Sequence, residues 1–261
     1  MSQTGIDQFT LAFILSDGGC NPAWDGQRPL TGGQDEELVN SIKGAGGDIT
    51  VSVGGWSGNK LGEACSSAED LAGAYQKIID AYGLKSLDID IESTEVENET
   101  VRQRVVDALK IVQDNNSDTK IYVTFGTTTE GPNENGTDLI NKGAAAGLDA
   151  VWTVMPFDFG DASTDMAAST ESAVDGLKDD VKAAYGLSDD EAYAKSGLSS
   201  MNGTTDTSEV VTLDNWKSIV DYAGSHHLGR VSFWSLNRDK AGSGTDQGDL
   251  DFTKVLAGYQ G

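Results

Sequence analysis

Asp88, Asp90 and Glu92 alternate with Leu87, Ile89 and Ile91 in one hexapeptide. Successive side chains of an extended strand point to opposite faces, so the three acids share one side and the three apolar residues the other. At a rise of roughly 3.3 Å per residue, alternate carboxyls stand about 6.6 Å apart. Such a row adds nothing to folding. Like charges held this close, on a strand whose other face is greasy enough to be buried, raise one another's proton affinity unless they share protons. The pattern points to acid/base chemistry.

Two plainer readings compete with it. A half-exposed edge strand carries acids on its wet face at little cost, and acid-x-acid patterns arise by chance in a chain with 42 Asp and Glu. A calcium loop also presents alternating acids, but it needs a flexible, oxygen-rich turn with a glycine. The β-branched Ile89 and Ile91 favour a strand instead.

The acid strand is one beat of a regular alternation. Strands are predicted at Phe9 to Leu15, Asp48 to Gly54, Ser86 to Glu92, Lys120 to Gly126, Ala150 to Phe157, Gly197 to Met201 and Arg230 to Leu236. Helical patterns lie between them at Asp35 to Lys43, Ala68 to Tyr82, Val101 to Asn115, Thr137 to Ala146, Ser172 to Tyr185 and Leu213 to His226. This rhythm predicts an α/β fold of parallel strands with crossover helices. No linker-like change of composition interrupts it, so residues 1–261 are read as a single domain of a size usual for (β/α) barrels.

Composition excludes several functions. Eighteen Lys and Arg against 42 Asp and Glu give a net charge of -24 and leave no basic stripe for a phosphate backbone, so no nucleic-acid partner is expected. Anionic membranes are repelled as well. No apolar run reaches the roughly 18 residues of a membrane span, and the start of the chain lacks the basic and hydrophobic regions of a signal peptide. Dense surface acid suits solubility, in concentrated salt or otherwise, and names no substrate. Cys20 and Cys65 are too few for a cysteine-rich zinc site; they permit one disulfide or two reduced thiols. The adjacent His226 and His227 read as solvated loop residues, so neither metal nor cofactor is expected.

Leu87 to Glu92 resembles the D-x-D-x-E signature of glycoside hydrolase family 18, the chitinases. Four more blocks agree in order and spacing. Ser52-Val53-Gly54-Gly55 is similar to the family's S-x-G-G, and Phe9 to Leu15 with Cys20 to Trp24 is similar to an early strand and loop of a bacterial branch. Met155 to Gly160 resembles that branch's M-x-M-D-Y-G, and Ser232 to Asp239 its closing S-F-W-S-x-x-R-D. Beyond these four, Met201-Asn202-Gly203, with Asp206 and Glu209, is also similar to the segment before its last helix.

The resemblance implies a TIM-type (β/α) barrel that hydrolyses β-1,4 bonds of N-acetylglucosamine polymers with retention, the substrate's own acetamide oxygen serving as nucleophile. Glu92 is implied as proton donor and later base, Asp90 as the residue that turns toward the acetamide N–H, and Asp88 as the partner sharing a proton with Asp90. Ser52 is expected to hydrogen-bond Asp88. Gly54 and Gly55 let a ligand or an acid approach the backbone. Trp234 is implied as a floor on which a sugar ring stacks, against the alternative of core packing in the last strand. Asp158 is implied to hold the acetamide group, with Met155 and Phe157 at the pocket. Trp24 and Trp56, in loops after strands, are candidate sugar binders, whereas Trp152 and Trp216 are assigned to packing. Chitin or a chitooligosaccharide is the implied partner. Cys20 and Cys65 lie where the branch tends to carry a cysteine pair, which implies a disulfide and an extracellular enzyme.

Departures from the family pattern qualify these expectations. Phe157 and Phe159 stand where relatives often supply a tyrosine hydroxyl, a donor worth about 2.7 to 4 kcal/mol to a charged transition state, unless Tyr122 substitutes. Lys85-Ser86 replaces a frequent Asp-Gly, and Ser93 a frequent glycine. Phe9 to Leu15 aligns with the family's second strand, so the first strand and helix are absent from this reading and seven strands remain. A trimmed chain, another element in the gap, or pairing across an oligomer would each account for it. Two other activities stay open: a chitin-binding lectin without turnover, and an endo-β-N-acetylglucosaminidase acting on N-glycans.

Overall fold

β-branched and apolar runs form the strands, and the helices between them bury one face each. The computed structural model describes residues 1–162, 164–242, 245 and 247–259. These divide into two units, one of residues 7–124 and 141–150, the other of 1–6, 125–140 and 151–261.

In the first unit, β1 (Gln8–Ser16) pairs antiparallel with the short β2 (Pro22–Trp24) and parallel with β3 (Asp48–Gly54). β4 (Ser86–Asp90) pairs parallel with β3, and β5 (Lys120–Gly126) parallel with β4. Residues 1–7, ahead of β1, form no strand. The strands carry buried Ile14, Val51, Val53, Leu87, Ile89, Ile121 and Val123, each at most 3 % exposed. Burying one such side chain contributes about 1.5–3 kcal/mol.

The helices of this unit are α1 (Gln34–Gly44), α2 (Leu61–Ala64), α3 (Ala68–Tyr82), α4 (Ser93–Glu97) and α5 (Glu99–Asn115). α3 and α5 matter most for the acid strand. α3 starts where the Ser67 side chain accepts from the Asp70 amide and stops at Gly83, whose φ of +57° suits glycine. Leu71, Tyr75, Ile78 and Tyr82 make its buried stripe at helical spacing. α5 is capped by Asn98, which accepts from the Thr100 and Val101 amides, and buries Val101, Val105, Leu109 and Val112. With α3 immediately before β4 and α5 following it, both ends of the acid strand are tied to buried helices.

α6 (Glu134–Ala146) follows β5 in the chain. In the second unit, β6 (Ala150–Met155), β7 (Ser196–Met201) and β10 (Arg230–Trp234) are parallel neighbours with β7 in the middle. β8 (Gly203–Thr204) and β9 (Val210–Val211) form a small antiparallel ladder. The helices are α7 (Met166–Tyr185), α8 (Asp189–Ala194), α9 (Leu213–Ser225) and α10 (Asp251–Leu256). Trp152 and Trp216 are fully buried, as their place in a strand and a helix pattern predicts. Trp216 stacks on Phe252 and donates its Nε1–H to the Phe252 carbonyl at 3.0 Å.

Cys20 and Cys65 are joined in a disulfide spanning 45 residues. It ties the loop after β1 to the residue that follows α2. The bond is expected to contribute about 2–4 kcal/mol, chiefly by restricting the unfolded chain. Denaturant titration of the Cys20→Ser/Cys65→Ser double variant should show a lower midpoint and an unfolding free energy reduced by that amount, and an unchanged midpoint would refute it.

Candidate active site

The acid row lies in the first unit, on β4 and its extension. β4 proper ends at Asp90, but the backbone stays extended: the Ile91 amide donates to the Thr124 carbonyl at 2.8 Å, and Glu92 has φ -134° and ψ 172°. The alternation of faces therefore continues through Glu92. Asp88 and Asp90 are only 2 % and 6 % exposed, which rules out the solvated edge strand. Glu92 is partly exposed and sits at the N-cap of α4 without a side-chain capping bond. Ser93 follows with φ +52°, a left-handed conformation that glycine adopts without cost.

Register places partners for each acid. Ser52, Asp88 and Tyr122 are level across β3, β4 and β5, and Gly54, Asp90 and Thr124 are level one step further along. The Ser52 hydroxyl donates to Asp88 Oδ2 at 2.6 Å and the Thr124 hydroxyl to Oδ1 at 2.7 Å. Each Asp88 oxygen thus receives one short, charge-assisted bond that fixes its plane. The Ser52 contact is the one expected from S-x-G-G; the Thr124 contact has no counterpart in the sequence pattern, because a threonine in a strand carries no signal of its own. Tyr122 lies at the level of Asp88, with its ring 5.4 Å from Lys120 Nζ.

The two glycines have distinct geometric reasons. Gly54 has φ +116°, and a Cβ there would lie 2.1 Å from the Asp90 carbonyl oxygen. Gly55 donates its amide to that same oxygen at 2.8 Å, and a Cβ on Gly55 would meet the Phe13 ring at 2.9 Å. The Gly-Gly pair lets its own backbone close on Asp90.

Trp24 needs correcting. It is 2 % exposed, donates its indole N–H to the Tyr82 hydroxyl at 2.8 Å and packs on that ring, so it is a core residue and not a sugar platform. Its position in the short strand β2, antiparallel to β1, turns the ring inward, and a three-residue strand leaves little periodicity to read. Trp56, in the loop after β3, is 72 % exposed.

The second unit holds the remaining candidates. Met155 ends β6 and is buried; Pro156, which has no N–H to donate, stops the ladder there, short of the predicted Phe157. Phe157 is partly exposed and Asp158 exposed, with φ +58°. Asp158 Oδ1 accepts from the Thr207 amide at 3.1 Å. Trp234 ends β10 at 42 % exposure, which excludes simple core packing. Asn202 flanks it, donating its amide to the Trp234 carbonyl at 3.1 Å and accepting from the Ser235 amide at 2.8 Å. In the closing motif, Arg238 donates to the carbonyls of Asn202 and Thr204, and Asp239 accepts from Phe252 and Thr253 at the start of α10. These two motif residues are staples of the backbone.

Glu209 holds the Asp158 segment. It is fully buried, accepts from the Gly160 amide at 2.6 Å and from the Thr207 hydroxyl at 2.7 Å, and takes a further bond from the Thr205 hydroxyl. Burial pushes its proton affinity up, but these donors outweigh burial and bring its pKa down to about 2. A carboxylate depressed on folding stabilises above its ordinary range near 4.5, and that contribution is lost as pH falls toward about 2. Protection of the Gly160 amide against hydrogen exchange, taken relative to the unfolded rate at the same pH, should therefore fall selectively across that window. Exchange tracking global unfolding throughout would refute a local clasp.

Fold and site together define an α/β protein of parallel strands and crossover helices that carries a row of carboxylates on one strand. No family profile matches the chain. It is 30 % identical over 256 residues to a probable bifunctional chitinase/lysozyme of Escherichia coli, covering 91 % of this chain and 28 % of that protein. It is 30 % identical over 254 residues to Endochitinase 11 of Metarhizium anisopliae, covering 90 % of this chain and 48 % of that one. It thus spans less than half the length of either relative. The catalytic domain of a hyperthermophilic chitinase from Pyrococcus furiosus superposes with a TM-score of 0.88 at 30 % identity, over 99 % of this chain and 87 % of that one. The chain belongs to the chitinases of glycoside hydrolase family 18, and its fold class is their TIM-type α/β barrel.

Proposed function

We propose that the chain is a single catalytic domain that hydrolyses β-1,4 linkages of chitin or chitooligosaccharides with retention. The acid row carries this reading: three carboxylates on one side of β4, the innermost clamped by Ser52 and Thr124. Glu92 gives its proton to the leaving glycosidic oxygen as the substrate's acetamide oxygen attacks C1. Asp90 orients the acetamide N–H and balances charge on the oxazolinium ion, while Asp88 shares a proton with Asp90. Water then attacks C1, returning its proton to Glu92. Asp158, Met155, Phe157 and Trp234 contribute to substrate binding, and Gly54 and Gly55 shape the backbone at Asp90. No cofactor or metal enters the scheme.

The Cys20–Cys65 disulfide supports an extracellular setting, where such bonds persist. Release of reducing sugar from chitotetraose, or of fluorophore from a chitobioside, tests the activity. Tight binding of chitotetraose without release would establish a lectin, to which the phenylalanines at 157 and 159 lend some weight. Cleavage of N-glycan cores with no action on chitotetraose would establish the glucosaminidase.

A further inference from the structure

Lys60 is a buried lysine close to the acid row. It is 2 % exposed, and its ammonium donates to the Gly55 carbonyl and, at 3.0 Å, to the Ser57 carbonyl. Gly55 passes the restraint on, because its amide donates to the Asp90 carbonyl at 2.8 Å. One residue therefore links the lysine to the backbone of the middle acid. Burying an ammonium is expensive, and holding one loop's carbonyls does not by itself require a charge there.

Burial lowers the proton affinity of Lys60 below the ordinary lysine value, and nearby carboxylates oppose it in part. The carboxylates of Glu95, Glu92, Asp90 and Glu63 all act on Lys60, in that order of strength, against the burial that lowers its proton affinity. Glu95, on α4, is 3 % exposed and accepts from the Gly62 amide at 3.0 Å. A Cβ on Gly62 would lie 2.2 Å from its Oε1, so α2 is shaped around this carboxyl. Burial raises the Glu95 pKa to about 7, opposed by Lys60 and the Gly62 amide and assisted by Glu63. Arg104 donates to the Gly62 carbonyl at 2.7 Å, Arg102 donates to the Val96 carbonyl at the end of α4 at 2.6 Å, and the Tyr75 hydroxyl is pushed up by burial and by Glu95.

We propose that Lys60 is a positioning residue of the acid row, fixing Asp90 through Gly55 and lending positive charge to Asp90 and Glu92, with Glu95 as the counter-charge that moderates it. This rests on Glu92 being the proton donor. The positive charge favours ionised Glu92 and so sets the pH at which the donor is lost; Glu95, ionised above about 7, returns part of that effect.

The test is a pair of variants with opposite signs. In pH profiles of kcat/KM on a fluorogenic chitobioside, Lys60→Met should move the alkaline limb up by about half a unit or more, and Glu95→Gln should move it down. Glutamine keeps the acceptor for the Gly62 amide, so this variant tests charge with the packing retained. A parallel 13C titration of the Glu92 carboxyl, assigned by its loss in Glu92→Gln, should show the same two directions. Movement of both variants in one direction, or no movement in folded Lys60→Met, overturns the proposal. A parent that leaves the chitobioside intact would count against the proposed activity alone, because the carboxyl titration still decides the role of Lys60. Should Lys60→Met fail to fold, Lys60→Gln takes its place in both measurements, an upward shift supporting the proposal and an unmoved limb overturning it.

Discussion

Glu92→Gln is expected to lower kcat on a fluorogenic chitobioside by about 10²- to 10⁴-fold, the usual contribution of a placed general acid. The amide matches the carboxyl in size, keeps a carbonyl acceptor and loses only the ability to give up and retake a proton. Structure predicts little collateral damage. Glu92 caps α4 with its backbone alone and makes no side-chain capping bond, so the substitution removes no helix cap. Its partial exposure also spares the variant a desolvated, unpaired amide. Melting temperature should stay close to that of the parent, and KM should change far less than kcat, as for a group acting in the transition state. Equal turnover by parent and variant would remove Glu92 from the chemistry. A leaving group of low pKa needs less protonation, so the loss should be smaller on an activated aryl chitobioside than on chitotetraose; the same loss on both would argue against a role as acid.

Much of the framework was legible because it rests on local chemistry. β3 and α3 have the ends that the sequence predicts, since Asp48 to Gly54 is a β-branched run closed by glycine, and Ala68 to Tyr82 is a helical stripe between Ser67 and Gly83. β6 stopped two residues early for a reason also visible in the sequence, Pro156. Short elements were not legible: α2, α4, α8 and the β8–β9 ladder have too few residues for a periodic signal, and tertiary packing decides them. The acid row and its Ser52 contact followed from alternation and motif. Lys60, Glu95, Thr124 and the clasp at Glu209 did not. Each is an ordinary residue type whose meaning depends on a neighbour distant in sequence, as with Thr124 and Asp88, 36 positions apart. Trp24 shows the same limit from the other side, since its burial depends on Tyr82, 58 positions away.

Gly54→Ala is expected to be the most damaging small substitution in the first unit. Two independent costs fall on one methyl. The backbone at φ +116° is a region open essentially to glycine alone, and the added carbon would meet the Asp90 carbonyl oxygen at 2.1 Å and its carbonyl carbon at 3.0 Å. The obstacle is backbone at the end of a parallel ladder, where Gly54 and Asp90 are the last register pair, so no side chain can swing aside. Relief requires β3 and β4 to part at the level of the acids. A loss of roughly 2–4 kcal/mol is expected, the range for a strained backbone compounded by overpacking. Activity should fall further than stability explains, because the displaced carbonyl belongs to Asp90 itself. Gly55→Ala is the control: its Cβ would meet the Phe13 ring at 2.9 Å, a side chain that can move, although φ of +88° still carries strain. Thermal melts of both variants, with kcat measured at a temperature where each is folded, should rank Gly54→Ala as clearly worse on both scales. Equal melting temperatures, or a Gly54→Ala enzyme with parental kcat, would show that the carbonyl of Asp90 is free to shift and that its backbone position does not govern catalysis.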